Sequence, residues 1–196
     1  MKIVAATTNK GKVREFKEIL AGAGCDVVSM HDIGIDADVE ETGSTFKENA
    51  LIKAKAISML CEYPVLADDS GLCVEALDGA PGIYSARFAG EDATDEDRNK
   101  KLLEMLDGKD NRRAEYVSAV ALVLPDGQEI VTEGKVEGEI LKEEHGNGGF
   151  GYDPLFFCTE INECFGIASP EEKNAVSHRG RAIAELCEIL KERTDL

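Results

Sequence analysis

The sequence predicts an α/β protein built on a long mixed β-sheet flanked by helices. Three observations carry that expectation. Short apolar runs alternate with helix-spaced segments through the N-terminal half, two long β-rich runs then meet across Pro125-Asp126-Gly127, and the chain closes on a helix-spaced stretch.

Ile3-Val4-Ala5-Ala6 reads as a first strand running into the polar Thr7-Thr8-Asn9-Lys10-Gly11-Lys12. Val13, Phe16 and Leu20 then recur at helical spacing, and Gly22 and Gly24 supply a stop. Cys25 to Met30 gives a second strand. Thr45 and Glu48 have capping-box spacing ahead of a helix with Leu51, Ala54 and Ile57 on its apolar face, which Pro64 ends. Pro64-Val65-Leu66-Ala67 reads as the end of a buried strand, with Asp68-Asp69-Ser70-Gly71 following at its carboxyl end. Thr94 and Asp97 mark another helix start, with Leu102, Leu103 and Leu106 inside and Gly108 as the stop. Tyr116 to Leu124 and Glu129 to Leu141 are the long strands, Gly134 and Gly138 marking bulges. His145 to Asp153 is glycine-rich and loop-like. Ala182, Leu186, Ile189 and Leu190 share a face of the last helix.

At 196 residues the chain suits one domain, 1–196, with no repeat, linker or low-complexity segment. Its net charge of −17, from 22 basic against 39 acidic residues, repels a phosphate backbone, so a nucleic-acid polymer is not an expected partner. A small polyphosphate remains compatible, through local lysines, backbone N–H groups or a divalent cation. The six cysteines form no C-x-x-C pair, which predicts reduced thiols in a cytoplasmic protein. No apolar run is long enough to span a bilayer.

Four segments could carry chemistry. Two adjacent carboxylates at a strand end, Asp68 and Asp69, need a cation, a partner or open water; an ordinary Asp-Ser-Gly turn is the plainer reading. Thr7 to Lys12 stands where a strand hands over to a helix, so N–H groups at the helix start and two lysines could meet an anion; no Walker A loop is present. Glu40-Glu41 would serve a helix dipole unless the fold brings it near Asp68-Asp69, where converging carboxylates would hold Mg²⁺. His145 to Pro154 suits a loop closing over a flat ring, Phe150 and Tyr152 offering a stacking face and Asp153 accepting ring N–H groups; both aromatics could equally be core residues. Lys173 with Ser177-His178-Arg179 is a weaker basic group, at a helix start that Ser169-Pro170 and Glu172 announce upstream.

Taken together and in order, these segments resemble the inosine triphosphate pyrophosphatase family. The resemblance rests on T-x-N-x-x-K from Thr7, on Glu40-Glu41-Thr42-Gly43 with Thr45-Phe46-x-Glu48-Asn49-Ala50, and on Ala67-Asp68-Asp69-Ser70-Gly71-Leu72. It continues through Gly79-x-Pro81-Gly82-x-Tyr84-Ser85-Ala86-Arg87, Gly148-Gly149-Phe150-Gly151-Tyr152-Asp153-Pro154 and Ser177-His178-Arg179. It implies a two-lobed single domain with the active site in the cleft, a homodimer, and hydrolysis of dITP, ITP and XTP to monophosphate and pyrophosphate. The same resemblance implies that Thr7, Thr8, Asn9, Lys10, Gly11 and Lys12 cradle the triphosphate and that Lys53 binds substrate. Glu40 and Asp69 would hold Mg²⁺, or Mn²⁺ in its place, with Glu41 and Asp68 close by. Asp69 would take the proton of the attacking water and Ser70 would touch substrate. Phe150, Gly151, Tyr152, Asp153, Lys173, His178 and Arg179 would form the base pocket. A haloacid-dehalogenase-type phosphatase needs D-x-D where this chain has Asp68-Asp69-Ser70, and a non-catalytic nucleotide sensor would not need the full set of acids.

Overall fold

A computed structural model describes residues 1–192. Seven strands form one open mixed sheet in the order β2-β1-β3-β4-β5-β6-β7. They are β1 (Lys2–Ala5), β2 (Asp26–Ser29), β3 (Val65–Val74), β4 (Arg113–Val123), β5 (Glu129–Ile140), β6 (Phe156–Cys158) and β7 (Glu163–Cys164). The helices are α1 (Lys10–Ala21), α2 (Phe46–Ser58), α3 (Asp95–Met105), α4 (Pro170–Val176) and α5 (His178–Glu192). β1 pairs in parallel with β2 and β3, whereas β5, β6 and β7 pair antiparallel.

The described residues group into two compact units. The first holds Met1–Asp69, Ser118–Gly134 and the chain from Arg179 onward; the second holds Ser70–Val117 and Lys135–His178. In the first, strands are covered on both faces, which is why they read as continuous apolar runs. Ile3, Ala5, Leu66, Val120 and Leu122 pack with Phe16 and Leu20 of α1 and Ala182, Ile183 and Leu186 of α5. Their neighbours Val4, Val65, Ala67, Ala119 and Ala121 point the other way, against Ala50, Ala54 and Ile57 of α2. The second unit has one core: Leu72, Val74, Ala114, Tyr116, Val136 and Ile140 packed with Leu102, Leu106, Phe156 and Phe165.

Several local expectations change. β3 does not stop at Ala67; it runs on through Asp68-Asp69-Ser70-Gly71 to Val74. The two acids are therefore successive residues inside a strand, projecting to opposite faces. α2 ends at Ser58, well before Pro64. Thr45 caps it by accepting the Glu48 N–H at 3.2 Å, but the Glu48 carboxylate binds Ser44 N–H and Oγ at 2.7 and 2.8 Å, so the box is displaced by one residue. The other two boxes close as spaced, at Thr94/Asp97 and Ser169/Glu172. Gly138 sits within an unbroken β5, where an added Cβ would lie 2.3 Å from the Phe157 carbonyl oxygen. It permits close approach of β6. All six cysteines are free thiols, and no helix among the described residues is long and apolar enough to cross a membrane.

Candidate active site

In the first unit, alternation along β3 gives the two acids different company. Asp68 turns toward α1 and α5. Its Oδ2 accepts two hydrogen bonds from Arg179, Nε at 3.1 Å and Nη2 at 2.8 Å, while Lys12 Nζ stands 3.0 Å from Oδ1. Arg179 is itself fully buried and also binds Glu15 of α1. Burial alone would raise the Asp68 carboxyl, but Arg179, Lys12 and Lys53 outweigh it and hold the group far below the ordinary carboxylate range. Asp68 thus stays ionised and fixed in place. The Lys12 ammonium is pushed down by burial, against the attraction of Asp68.

Asp69 turns toward α2. Asn49 Nδ2 donates to its Oδ2 at 3.0 Å, and Lys53 Nζ lies 3.9 Å from its Oδ1. Lys53 is drawn closer to Glu41, whose Oε1 lies 2.5 Å away. Burial pushes the Asp69 carboxyl up; the Glu41 carboxylate adds to that and Lys53 opposes it. A buried carboxylate with a raised affinity for protons is suited to act as a general base. Asn49 and Lys53 reach it together because residues four apart share a helix face.

Thr7 to Lys12 lies at the start of α1 as expected, but its N–H groups are not all open. Asn9 caps the helix, its Oδ1 accepting from the Gly11 and Lys12 N–H groups at 2.9 and 3.1 Å, and Thr7 Oγ1 accepts the Asn9 N–H at 3.2 Å. Thr8, Asn9 and Lys10 are exposed. An anion here would meet the lysines first and would have to displace the Asn9 cap to use those two N–H groups. Glu40 is exposed, whereas Glu41 is half-buried beside Lys53.

Whether these residues fit a divalent ion can be judged from the donors. Asp68 Oδ1 is buried and accepts no hydrogen bond despite its ion pair, and the Asp69 and Glu41 carboxylates repel each other's charge. Hard oxygen donors of this kind suit a hydrated Mg²⁺, which one or two carboxylates and substrate phosphates can hold. Among the described residues no group of three or more His, Cys, Asp or Glu is gathered as a ready cage. Asp69 and Glu41, both beside Lys53, supply oxygen donors that fit such an ion.

The second unit carries Ser70, which is half-buried in β3, and the aromatic residues. Asp153 is buried, and its Oδ2 accepts from Lys173 Nζ at 2.6 Å and from the Phe150 N–H at 2.9 Å. Lys173 Nζ also lies 4.8 Å from the centre of the Phe150 ring. The His178 ring stacks on Tyr116, centroids 4.6 Å apart and 8° from parallel. Two expectations shift here. Tyr152 lies in the core, its hydroxyl donating to the Ser85 carbonyl at 2.8 Å, whereas Phe150 is half-buried. Asp153 organises the loop from within instead of presenting an open acceptor. Arg179, expected with this group, is committed to Asp68 and Glu15 in the first unit.

A sequence model described as the Ham1 family matches residues 3–189. The chain belongs to the Ham1 family. It is 48% identical to a dITP/XTP pyrophosphatase of Desulforamulus reducens, covering 97% of this chain and 96% of that protein. A second, from Clostridium perfringens, is 47% identical and covered to 97% in both chains. The solved Ham1 protein of Staphylococcus aureus superposes with a TM-score of 0.85 at 43% identity, covering 97% of this chain and 98% of that one. For a Ham1 protein of Coxiella burnetii the values are 0.87 and 40%, covering 98% and 100%.

Within this Ham1 chain, three supporting residues gave little sign of themselves in the sequence. Asn49 stands in the motif Thr45-Phe46-x-Glu48-Asn49-Ala50, but nothing there marks it as a partner of Asp69. Glu15 looks like any acid on a surface helix, yet it is buried beside the core residue Phe16. Tyr116 reads as one more apolar strand residue, and only the fold lays His178 on it.

Proposed function

We propose that this chain hydrolyses non-standard purine nucleoside triphosphates, dITP, ITP and XTP, to the monophosphate and pyrophosphate. The full-length likeness to dITP/XTP pyrophosphatases supports the reaction class, and the environment of Asp69 carries the residue assignment. Asp69 is a buried carboxylate pushed up in proton affinity, oriented by Asn49 and next to a lysine and a second acid.

Asp69 accepts the proton of the attacking water, with Asn49 holding Oδ2 so that Oδ1 faces the reaction. Asp69 with the Glu40-Glu41 segment would hold Mg²⁺, replaceable by Mn²⁺, which when bound would supply charge neutralisation to the polyphosphate. Lys10, Lys12 and Lys53 neutralise the triphosphate and the departing pyrophosphate, as preplaced charges do for developing negative charge. Thr7, Thr8, Asn9, Gly11 and Ser70 line the polyphosphate. Asp68 anchors Lys12 and Arg179. Phe150 stacks on the base, and Lys173, held by Asp153 and close to the Phe150 ring, donates toward a 6-oxo acceptor that adenine lacks. Gly151, Tyr152 and His178 shape that pocket. Arg179 reaches the base only by giving up part of its bonding to Asp68 and Glu15. By the same reading the protein is a cytoplasmic homodimer that acts on free nucleotides.

Purified protein offered dITP, XTP, dGTP and ATP with Mg²⁺ or Mn²⁺ tests this by pyrophosphate release. Rapid release from dITP and XTP, and slow release from ATP, which lacks the 6-oxo group, is expected; dGTP shares that group, so its rate reads any discrimination at the purine 2-position. Equal rates on all four overturn the specificity, and orthophosphate as first product overturns the reaction.

A further inference from the structure

The glycine-rich segment that leads to Phe150 is tethered at both ends by one face of α3. Asp95 Oδ2 accepts the Gly151 N–H at 2.7 Å. One turn further along, Asn99 Nδ2 donates to Glu144 Oε1 at 2.7 Å. Residues four apart lie above one another on a helix, so a single face of α3 grips both the entry and the exit of residues 144–151.

The grip is itself fixed. Arg98 pairs with Asp95 Oδ1 and donates to the carbonyls of Ala86 and Ala93, each at 2.7 Å. The Thr94/Asp97 box closes the helix start beside it. Between the tethers the chain is His145-Gly146-Asn147-Gly148-Gly149-Phe150, with Gly146 and Gly149 at positive φ. Such a segment has little side-chain packing of its own and many backbone conformations open to it. What holds it in one of them is the pair of tethers, together with the Phe150 N–H bond to Asp153 and two main-chain bonds, His145 N–H to the Pro154 carbonyl and Gly148 N–H to the Gly166 carbonyl, each at 2.8 Å.

We propose that Asp95 and Asn99 are positioning residues for base recognition: they hold the Phe150 ring in its binding position before a nucleotide arrives. The proposal rests on Phe150 being the base contact of the function proposed above. A loop ordered in advance loses less freedom on binding. Losing a tether should therefore weaken substrate binding while leaving proton transfer at Asp69 intact, a rise in KM with little change in kcat.

Full-length Asp95→Leu, Asp95→Asn and Asn99→Leu variants test it with two readouts. In nucleotide-free protein, Asp95→Leu and Asn99→Leu should speed amide exchange across residues 144–152 by about tenfold, with exchange in α1 and α2 unchanged. For dITP, their KM should rise by about tenfold with kcat within about twofold. Asp95→Asn keeps a carbonyl oxygen for the Gly151 N–H and should recover most of both effects. Unchanged exchange in both leucine variants, or kcat falling while KM holds, overturns the proposal. Should Asp95→Leu fail to fold, Asn99→Leu and Asp95→Asn still decide. Failure of the wild type to release pyrophosphate from dITP sinks the proposed function instead, and the exchange experiment then rules on the tether alone.

Discussion

The two units hold their buried charges in opposite ways. In the first, Asp68, Asp69, Glu15, Asn49, Lys53 and Arg179 all stand on strands and helices, so the sheet and its covering helices set their spacing. In the second, Asp153 and Phe150 belong to a glycine-rich connection, and Asp153 fixes that connection through hydrogen bonds to Lys173 and the Phe150 N–H. Proton transfer tolerates little displacement, which favours rigid elements; recognition of a flat ring tolerates more, which leaves room for a loop. Within the first unit the same contrast recurs in miniature. Asp68 is locked by cations into its charged form, and its neighbour Asp69 is kept inclined to take a proton.

The sharpest way to break this comparison is Asp69→Asn. Turnover should fall by about 10²–10⁴-fold, the range for a lost general base, while nucleotide binding by calorimetry without Mg²⁺ stays near wild type. Near-normal turnover would remove Asp69 from its role. Next in size is Arg179→Met, which removes the guanidinium from Asp68 and Glu15 in the interior. Breaking a buried ion pair from one side costs about 3–5 kcal/mol, so the urea midpoint should drop severely. Gly71→Ala comes third. Its Cβ would lie 2.2 Å from the Gly82 carbonyl oxygen and 2.5 Å from Ser85 Oγ, and overpacking of this kind costs about 1–3 kcal/mol in thermal melts.

The two acids should also respond oppositely to pH. The Asp68 carboxyl lies below its ordinary value of 3.8, so its contribution is complete above that pH and is lost as pH falls further. Asp69 lies above 3.8; its charge costs stability at neutral pH, and that cost fades as pH falls through the raised value toward 3.8. Asp69→Asn should accordingly be at least as stable as wild type at neutral pH by urea titration. The acid limb of kcat/KM should fall at a pH above 3.8; a limb at or below 3.8 would contradict the raised value. The smallest effect belongs to Lys47→Ala, which loses an exposed 2.6 Å pair with Glu133 and should shift stability by at most about 1 kcal/mol.

Much of the first unit was legible because its signals are local. The apolar runs of β1 and β3 and the helical spacing of Val13, Phe16 and Leu20 follow from nearest neighbours. The strand end at Asp68 was misread for a physical reason. Asp, Ser and Gly favour turns when solvated, but here Arg179, Lys12 and Asn49 supply the partners that let both acids stay in the sheet. Arg179 and Asp68 are 111 residues apart in sequence, so no local pattern reports their meeting. β6 and β7 were missed because strands of three and two residues carry too little periodicity to register.

The sequence by itself determined the α/β class, the order of the elements as far as β5, the family, and the residue types available for phosphate, proton and base chemistry. Only the tertiary structure decided which acid is which. Alternation along β3 sends Asp68 to the cations of α1 and α5 and Asp69 to α2, and that choice of face sets their opposite proton affinities. It also decided that α3, an ordinary capped helix by its sequence, holds both ends of the glycine-rich loop. The reason is common to both cases: propensity and periodicity are written in near neighbours, whereas burial and charge pairing depend on residues the chain brings together only by folding.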